Sequence, residues 1–111
     1  MREIILIQPK AGAWEKMGAR LPIGLLSIAA IPYNQGYKIK IIDQRIDANW
    51  KKTLINSLKK SPLCVGLTCM TGKQIFYALE ASKIVKKHST VPVIWGGVHA
   101  TLLPEQTLEN E

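Results

Sequence analysis

The chain has 111 residues, room for one modest domain and too little for two separate cores. Apolar residues make up 47% and charged residues 21%, which argues against disorder, and no apolar run reaches the ~20 residues that cross a bilayer. The net charge of +7 sits mostly on helical stretches (Lys51, Lys52, Lys59, Lys60, then Lys83, Lys86, Lys87) without interleaved aromatics, so it reads as solvated helix faces rather than a nucleic-acid footprint.

In chain order, Glu3-Ile4-Ile5-Leu6-Ile7-Gln8 is a continuous β-branched run closed by Pro9, the pattern of a strand buried on both faces. A loop from Pro9 to Leu21 leads to Pro22 and an apolar helix through Ile23, Leu25, Leu26, Ile28, Ala29 and Ala30. Pro32 is expected to kink or end that helix by crowding the carbonyl of Ile28, with Gly36 as the turn residue beyond it. Lys38-Ile39-Lys40-Ile41-Ile42-Asp43 alternates, and its lysines suit an edge strand. Trp50, Leu54, Ile55 and Leu58 then fall at helical spacing between Asn49 and Lys60, and Pro62 closes them off.

Leu63 to Thr68 is the next strand, Ile75 to His88 an amphipathic helix, and Val91 to Trp95 a fourth strand stopped by Gly96-Gly97. One more helical turn begins at Pro104. Cys64 and Cys69 stand at an odd offset along a strand, on opposite faces, so they are read as unpaired core thiols of a protein from a reducing compartment. With no signal-peptide core after Met1-Arg2-Glu3, a single cytoplasmic domain over residues 1–111 is expected, without a membrane.

Strands alternating with helices in this way predict an α/β fold, a parallel sheet with helices on both faces. Ligands of such sheets bind outside the carboxyl ends of the strands, which directs attention to the loops after Gln8, Asp43, Thr68 and Trp95. The first loop lacks the G-x-G-x-x-G of a dinucleotide site. Asp43 is either a turn carboxylate or a ligand contact. Thr68-Cys69-Met70-Thr71-Gly72 offers small hydroxyl groups to a ligand, or a helix cap. In Gly96-Gly97-Val98-His99-Ala100-Thr101 the two glycines let backbone approach a flat or bulky ligand closely.

Taken together, Pro9, Pro22-x-Gly24-Leu25, Gly36-Tyr37, Asp43, Val65-Gly66-Leu67-Thr68 and Gly96-Gly97-x-His99-Ala100-Thr101-x-x-Pro104 resemble the cobalamin-binding domain of B12-dependent radical S-adenosylmethionine enzymes. The resemblance implies a flavodoxin-like (Rossmann-like) three-layer αβα fold with strand order 2-1-3-4, the family's fifth strand and helix being absent after Pro104. It also implies cobalamin, with its nucleotide tail inserted among the strand ends. The cofactor-binding residues it implies are Pro9, Asp43, Thr68, Cys69, Met70, Thr71, Gly96, Gly97 and His99. Thr68 and Met70 match the family's Ser-x-Leu contact, and Gly96 and Gly97 match the glycine pair beside the tail. Ile23, Leu26, Met70, Met17 and Trp14 are the apolar residues available to a corrin ring.

The chain departs from relatives that ligate cobalt, because the Asp-x-His-x-x-Gly motif is absent. His99 is the one candidate replacement, and it is read as a hydrogen-bonding or structural residue ahead of a cobalt ligand. Nor does the chain hold a Cys-x-x-x-Cys-x-x-Cys motif, so the iron–sulfur cluster, S-adenosylmethionine and the methyl transfer or radical rearrangement are expected in a further domain of a parent enzyme, with no catalytic residue here. Expected partners are cobalamin, the remainder of that parent, and a second copy or another chain along an exposed fourth strand. Two other readings stand beside this one. Gly96-Gly97 would cradle the phosphate of a nucleotide or sugar-nucleotide, with Lys10 and Lys73 in the loops at the strand ends; or the fold would serve a cofactor-free regulatory domain, although Thr68 and Cys69 stand where a receiver domain needs an acid.

Overall fold

The β-branched run Glu3–Gln8 forms β1, which pairs on both sides, as its unbroken apolar character requires. The structure, a computed structural model, describes residues 3–10, 22–69 and 73–109, apart from the side chains of Ile23, Val98 and His99. The elements after β1 are α1 (Ile23–Asn34), β2 (Lys38–Asp43), α2 (Trp50–Leu58), β3 (Cys64–Thr68), α3 (Gln74–His88), β4 (Val93–Gly96), α4 (Gly97–Leu102) and α5 (Pro104–Leu108). The strands make one parallel sheet in the order β2-β1-β3-β4, the flavodoxin-like arrangement expected from the sequence.

Strand alternation divides the core between two faces. Ile5, Ile7, Ile42, Val65, Leu67 and Cys69 point to one face and pack against Trp50, Leu54 and Leu58 of α2 and Ala78, Ala81 and Val85 of α3. Each of the large side chains buried there contributes about 1.5–3 kcal/mol. The opposite face is thinner: Leu6 packs with Leu25 and Ala29 of α1, flanked by Ile4, Ile39 and Ile41. Helix α1 therefore lies over β1 and β2. No helix among the described residues is long and apolar enough to cross a membrane.

Three local expectations are corrected. α1 runs on through Pro32 to Asn34 before Gly36 turns the chain at φ 94°. Pro32 stands in the last turn, so the missing N–H deprives only the carbonyl of Ile28, a residue on the exposed side of the helix. β4 begins at Val93 rather than Val91, although the carbonyl of Pro92 still accepts from the Val65 N–H at 3.0 Å. Gly96 closes that strand and Gly97 opens α4, where the sequence reading placed a loop.

Candidate functional site

The carboxyl ends of β1 and β2 are tied to each other and to α3 by two buried glutamines. Gln44, immediately after β2, accepts a hydrogen bond from the Lys10 N–H at Oε1 (3.1 Å) and donates from Nε2 to the Tyr77 carbonyl (3.3 Å). Gln74, the first residue of α3, donates from Nε2 to the Pro9 carbonyl (3.1 Å). The loop leaving β1 is thus tied to β2 on one side and to α3 on the other. Buried polar groups of this kind persist only when satisfied, which both side chains achieve across long sequence separations.

Asp43 is engaged from within its own turn. Its carboxylate receives the Arg45 backbone N–H (3.0 Å) and, side by side, Nε (2.9 Å) and Nη2 (2.8 Å) of the Arg45 guanidinium, while its carbonyl accepts from Ile46 and Asp47. A bidentate pair of this geometry fixes the turn after β2. Asp43 therefore acts in the structure as the turn carboxylate.

β3 and β4 shape the remaining ends. Because Val65, Leu67 and Cys69 face the α2/α3 core and Val93 and Trp95 pack against it, Gly66, Thr68 and Gly96 face the α1 side. The register sets Gly66 beside Ile94 and Thr68 beside Gly96. The result, among the described residues, is a shallow strip at the carboxyl end of the β3–β4 pair, bare at Gly66 and Gly96 and bordered by Ile94 beside Gly66. Among the described residues, a Cβ added at Gly96 would meet only the Leu67 carbonyl, at 3.8 Å; one at Gly66 would lie 3.0 Å from Leu6 Cδ2, the end of a flexible side chain.

Gly97 serves differently. Its φ is +87°, and a Cβ there would sit 2.7 Å from Thr68 Oγ1 and 2.8 and 2.9 Å from the backbone N and O of Cys69. The chain can turn from β4 into α4 against the end of β3 only with glycine at this point. The Cys69 N–H donates to the Gly96 carbonyl (3.1 Å) and completes the joint.

Of the residues singled out in the sequence, Thr68, Gly96 and Gly97 are brought together. Cys69 is adjacent but its side chain turns into the α2/α3 core, Pro9 contributes its carbonyl to the Gln74 clamp, and Asp43 is held by Arg45. Met70 and Thr71, with Trp14 and Met17, fall outside the described residues, as does the side chain of His99, whose backbone lies in α4. Sequence reasoning missed Gln44 and Gln74 as organisers and Gly66 as the floor of the strip.

Burial pushes the Cys69 thiol up to about 11 and raises that of Cys64 above its ordinary 9.0. Only the thiolate attacks an alkylating agent, so Cys69 in the folded chain is expected to resist iodoacetamide until the pH approaches 11, and mass spectrometry of timed quenches checks this. The neutral thiol is the form that folding favours. Its contribution to stability is full below pH 9 and is lost as the pH rises towards 11.

The geometry is accompanied by a family match: the model described as B12 binding domain covers residues 19–111. The chain belongs to the B12-binding domain family. No curated protein and no solved structure matches it. In this B12-binding domain the matched region includes β2, β3 and β4 and every residue of the strip. Family membership supports cobalamin as the cofactor, and the residues present fit such a group: a strip at strand ends, bare at Gly66 and Gly96 and with one hydroxyl at Thr68, accepts a flat and bulky molecule.

Proposed function

We propose that the chain is the cobalamin-binding module of a B12-dependent radical S-adenosylmethionine enzyme, and that the strip formed by Gly66, Thr68 and Gly96 receives the nucleotide tail. What supports this is that, among the described residues, a Cβ at Gly96 would meet only the Leu67 carbonyl, within a family match spanning that residue. Thr68 supplies a hydroxyl to the tail, Gly66 and Gly96 supply room, and Met70, Thr71 and His99 extend the contact surface. Gln44 and Gln74 hold Lys10 and Pro9 in place at the carboxyl end of β1.

When bound, cobalamin supplies a cobalt centre able to carry an alkyl group. This chain's own part is to bind and orient it. The methyl transfer or rearrangement, with its iron–sulfur cluster and S-adenosylmethionine, falls on this reading to another domain of the parent, because this sequence holds no Cys-x-x-x-Cys-x-x-Cys motif. The reading also places the protein in the cytoplasm, where its two free thiols remain reduced.

An anaerobic titration with hydroxocobalamin and with methylcobalamin, followed in the visible spectrum, tests the binding. The expected result is saturation accompanied by the spectral change of a displaced benzimidazole base. A folded chain that produces no saturable change with either form would refute the module and return attention to a phosphate-bearing ligand.

A further inference from the structure

We propose that the outer face of α2 and α3 docks an acidic protein, one that presents carboxylates around an apolar side chain. This face lies across the sheet from α1 and from the strip at Gly66 and Gly96, so the inference does not rest on the cofactor reading.

Charge in this chain is one-sided. Residues 48–100 hold eight lysines and no arginine against one acid, Glu80, which equals the whole net charge of +7; the remaining residues sum to zero. Every one of those lysines is exposed and stands on α2, on α3 or within two residues of their ends. The two helices pack side by side, so the lysines form one surface. Lys38 and Lys40 share the side of the sheet that Ile42 faces and widen it. Among the described residues Lys51 alone of the eight meets a carboxylate, that of Glu80 at 3.4 Å.

Solvation alone does not account for such a face. Surfaces that need only water mix both signs, because like charges four residues apart on a helix repel, the relation in which Lys83 and Lys87 stand. An acidic partner removes the repulsion and is steered in by it. The face also holds an anchor: Phe76 is 73% exposed, on the outer stripe of α3 that continues through Glu80, Lys83 and Lys87. Near it, between the starts of the two helices, lies a hollow of about 500 Å³ whose described walls include Lys10, Asn49, Lys51, Lys52, Tyr77 and Glu80, which gives a partner carboxylate three lysines to meet. An exposed aromatic within a charged rim is the anatomy of a protein interface. Nucleic acid is less well matched, since phosphate draws on the fork of arginine and bases on a series of aromatics, and Phe76 is the one exposed aromatic on this face. A lipid surface takes up a helix with an apolar side to spare, and those of α2 and α3 are buried in the core.

Fluorescence polarisation of the chain, without cobalamin, against a labelled glutamate-rich peptide with a central leucine tests the docking. Saturable binding that weakens as salt rises is expected. Lys83→Gln together with Lys87→Gln is expected to weaken it about fivefold or more, with an unchanged circular dichroism spectrum. Ser27→Glu with Ile31→Glu, which lowers the net charge equally on the exposed side of α1, is expected to change it by less than about twofold. Phe76→Ala is expected to remove the advantage of the leucine peptide over its alanine counterpart. Absence of saturable binding, equal weakening by the two charge changes, or leucine and alanine peptides that bind the unaltered chain alike would each overturn the inference. So would duplex DNA or phosphatidylserine vesicles that engage Lys83 and Lys87 at concentrations where the peptide does not.

Discussion

Replacing Gly96 by leucine is expected to abolish cobalamin binding while leaving the fold intact. The two effects separate because of where the added side chain goes. Among the described residues its Cβ meets nothing closer than the Leu67 carbonyl at 3.8 Å, a contact the backbone tolerates. A strand residue with a side chain is, if anything, favoured over glycine by about 0.5–1 kcal/mol. The leucine then occupies the strip beside Thr68 and Gly66, where a flat ligand group has to lie. Losing that space is expected to weaken binding by about a hundredfold or more, roughly 2.7 kcal/mol. Spectral titration paired with thermal melting distinguishes the effects: unchanged melting with lost binding supports the site, whereas unchanged affinity moves the tail elsewhere.

Gly97→Ala is expected to do the reverse, lowering stability first and binding only as a consequence. An alanine there combines a left-handed φ of +87° with Cβ contacts below 3.0 Å to Thr68 Oγ1 and to the Cys69 backbone. The conformational cost is about 1–2 kcal/mol and the overpacking about 1–3 kcal/mol. A total near 3 kcal/mol corresponds to a fall in Tm on the order of 15 °C for a domain of this size. Urea denaturation measures it directly. Asparagine adopts positive φ more readily than alanine but carries the same Cβ, so Gly97→Asn separates the causes: destabilisation as large as that of alanine identifies the contacts, and a clear recovery identifies the backbone angle.

Much of the fold was legible because its strands obey simple rules. β1 is apolar at every interior position and sits between two partners; β2 alternates, carries lysines and lies at an edge. The misreadings have equally physical origins. Pro32 was expected to break α1, but a proline in the last turn removes little that the helix still needs. Gly96-Gly97 was read as a loop, yet a single positive φ at Gly97 is enough to redirect the chain straight into α4.

The site was legible in part for the same reason. Two glycines at the end of β4 announce close approach, but nothing in the sequence tells which of them makes room and which makes a joint; that division follows from strand parity and from the atoms around each Cβ. Gly66 stands in the sequence only as part of Val65-Gly66-Leu67-Thr68, and its place on the strip follows from the register that sets it near Gly96. Gln44 and Gln74 were invisible because a glutamine after a strand or at a helix start has the sequence signature of a solvated residue, and their burial depends on partners far along the chain. Asp43 stood equally for a ligand contact and a turn residue until the Arg45 pair was seen.

Those two glutamines have a consequence for how the domain reports its ligand. Their bonds join residues 34 and 65 positions apart, so Pro9 and Lys10 cannot loosen without parting the end of β1 from both β2 and α3. Local opening and global unfolding are thereby nearly the same event at Lys10, whose amide is expected to exchange hydrogen only at the rate of the slowest core amides. Any molecule held at these strand ends then protects the whole fold by mass action, by about 2.7 kcal/mol at a hundredfold excess over its dissociation constant. The melting temperature of this chain is consequently a sensor of occupancy, readable with ligands that carry no colour of their own.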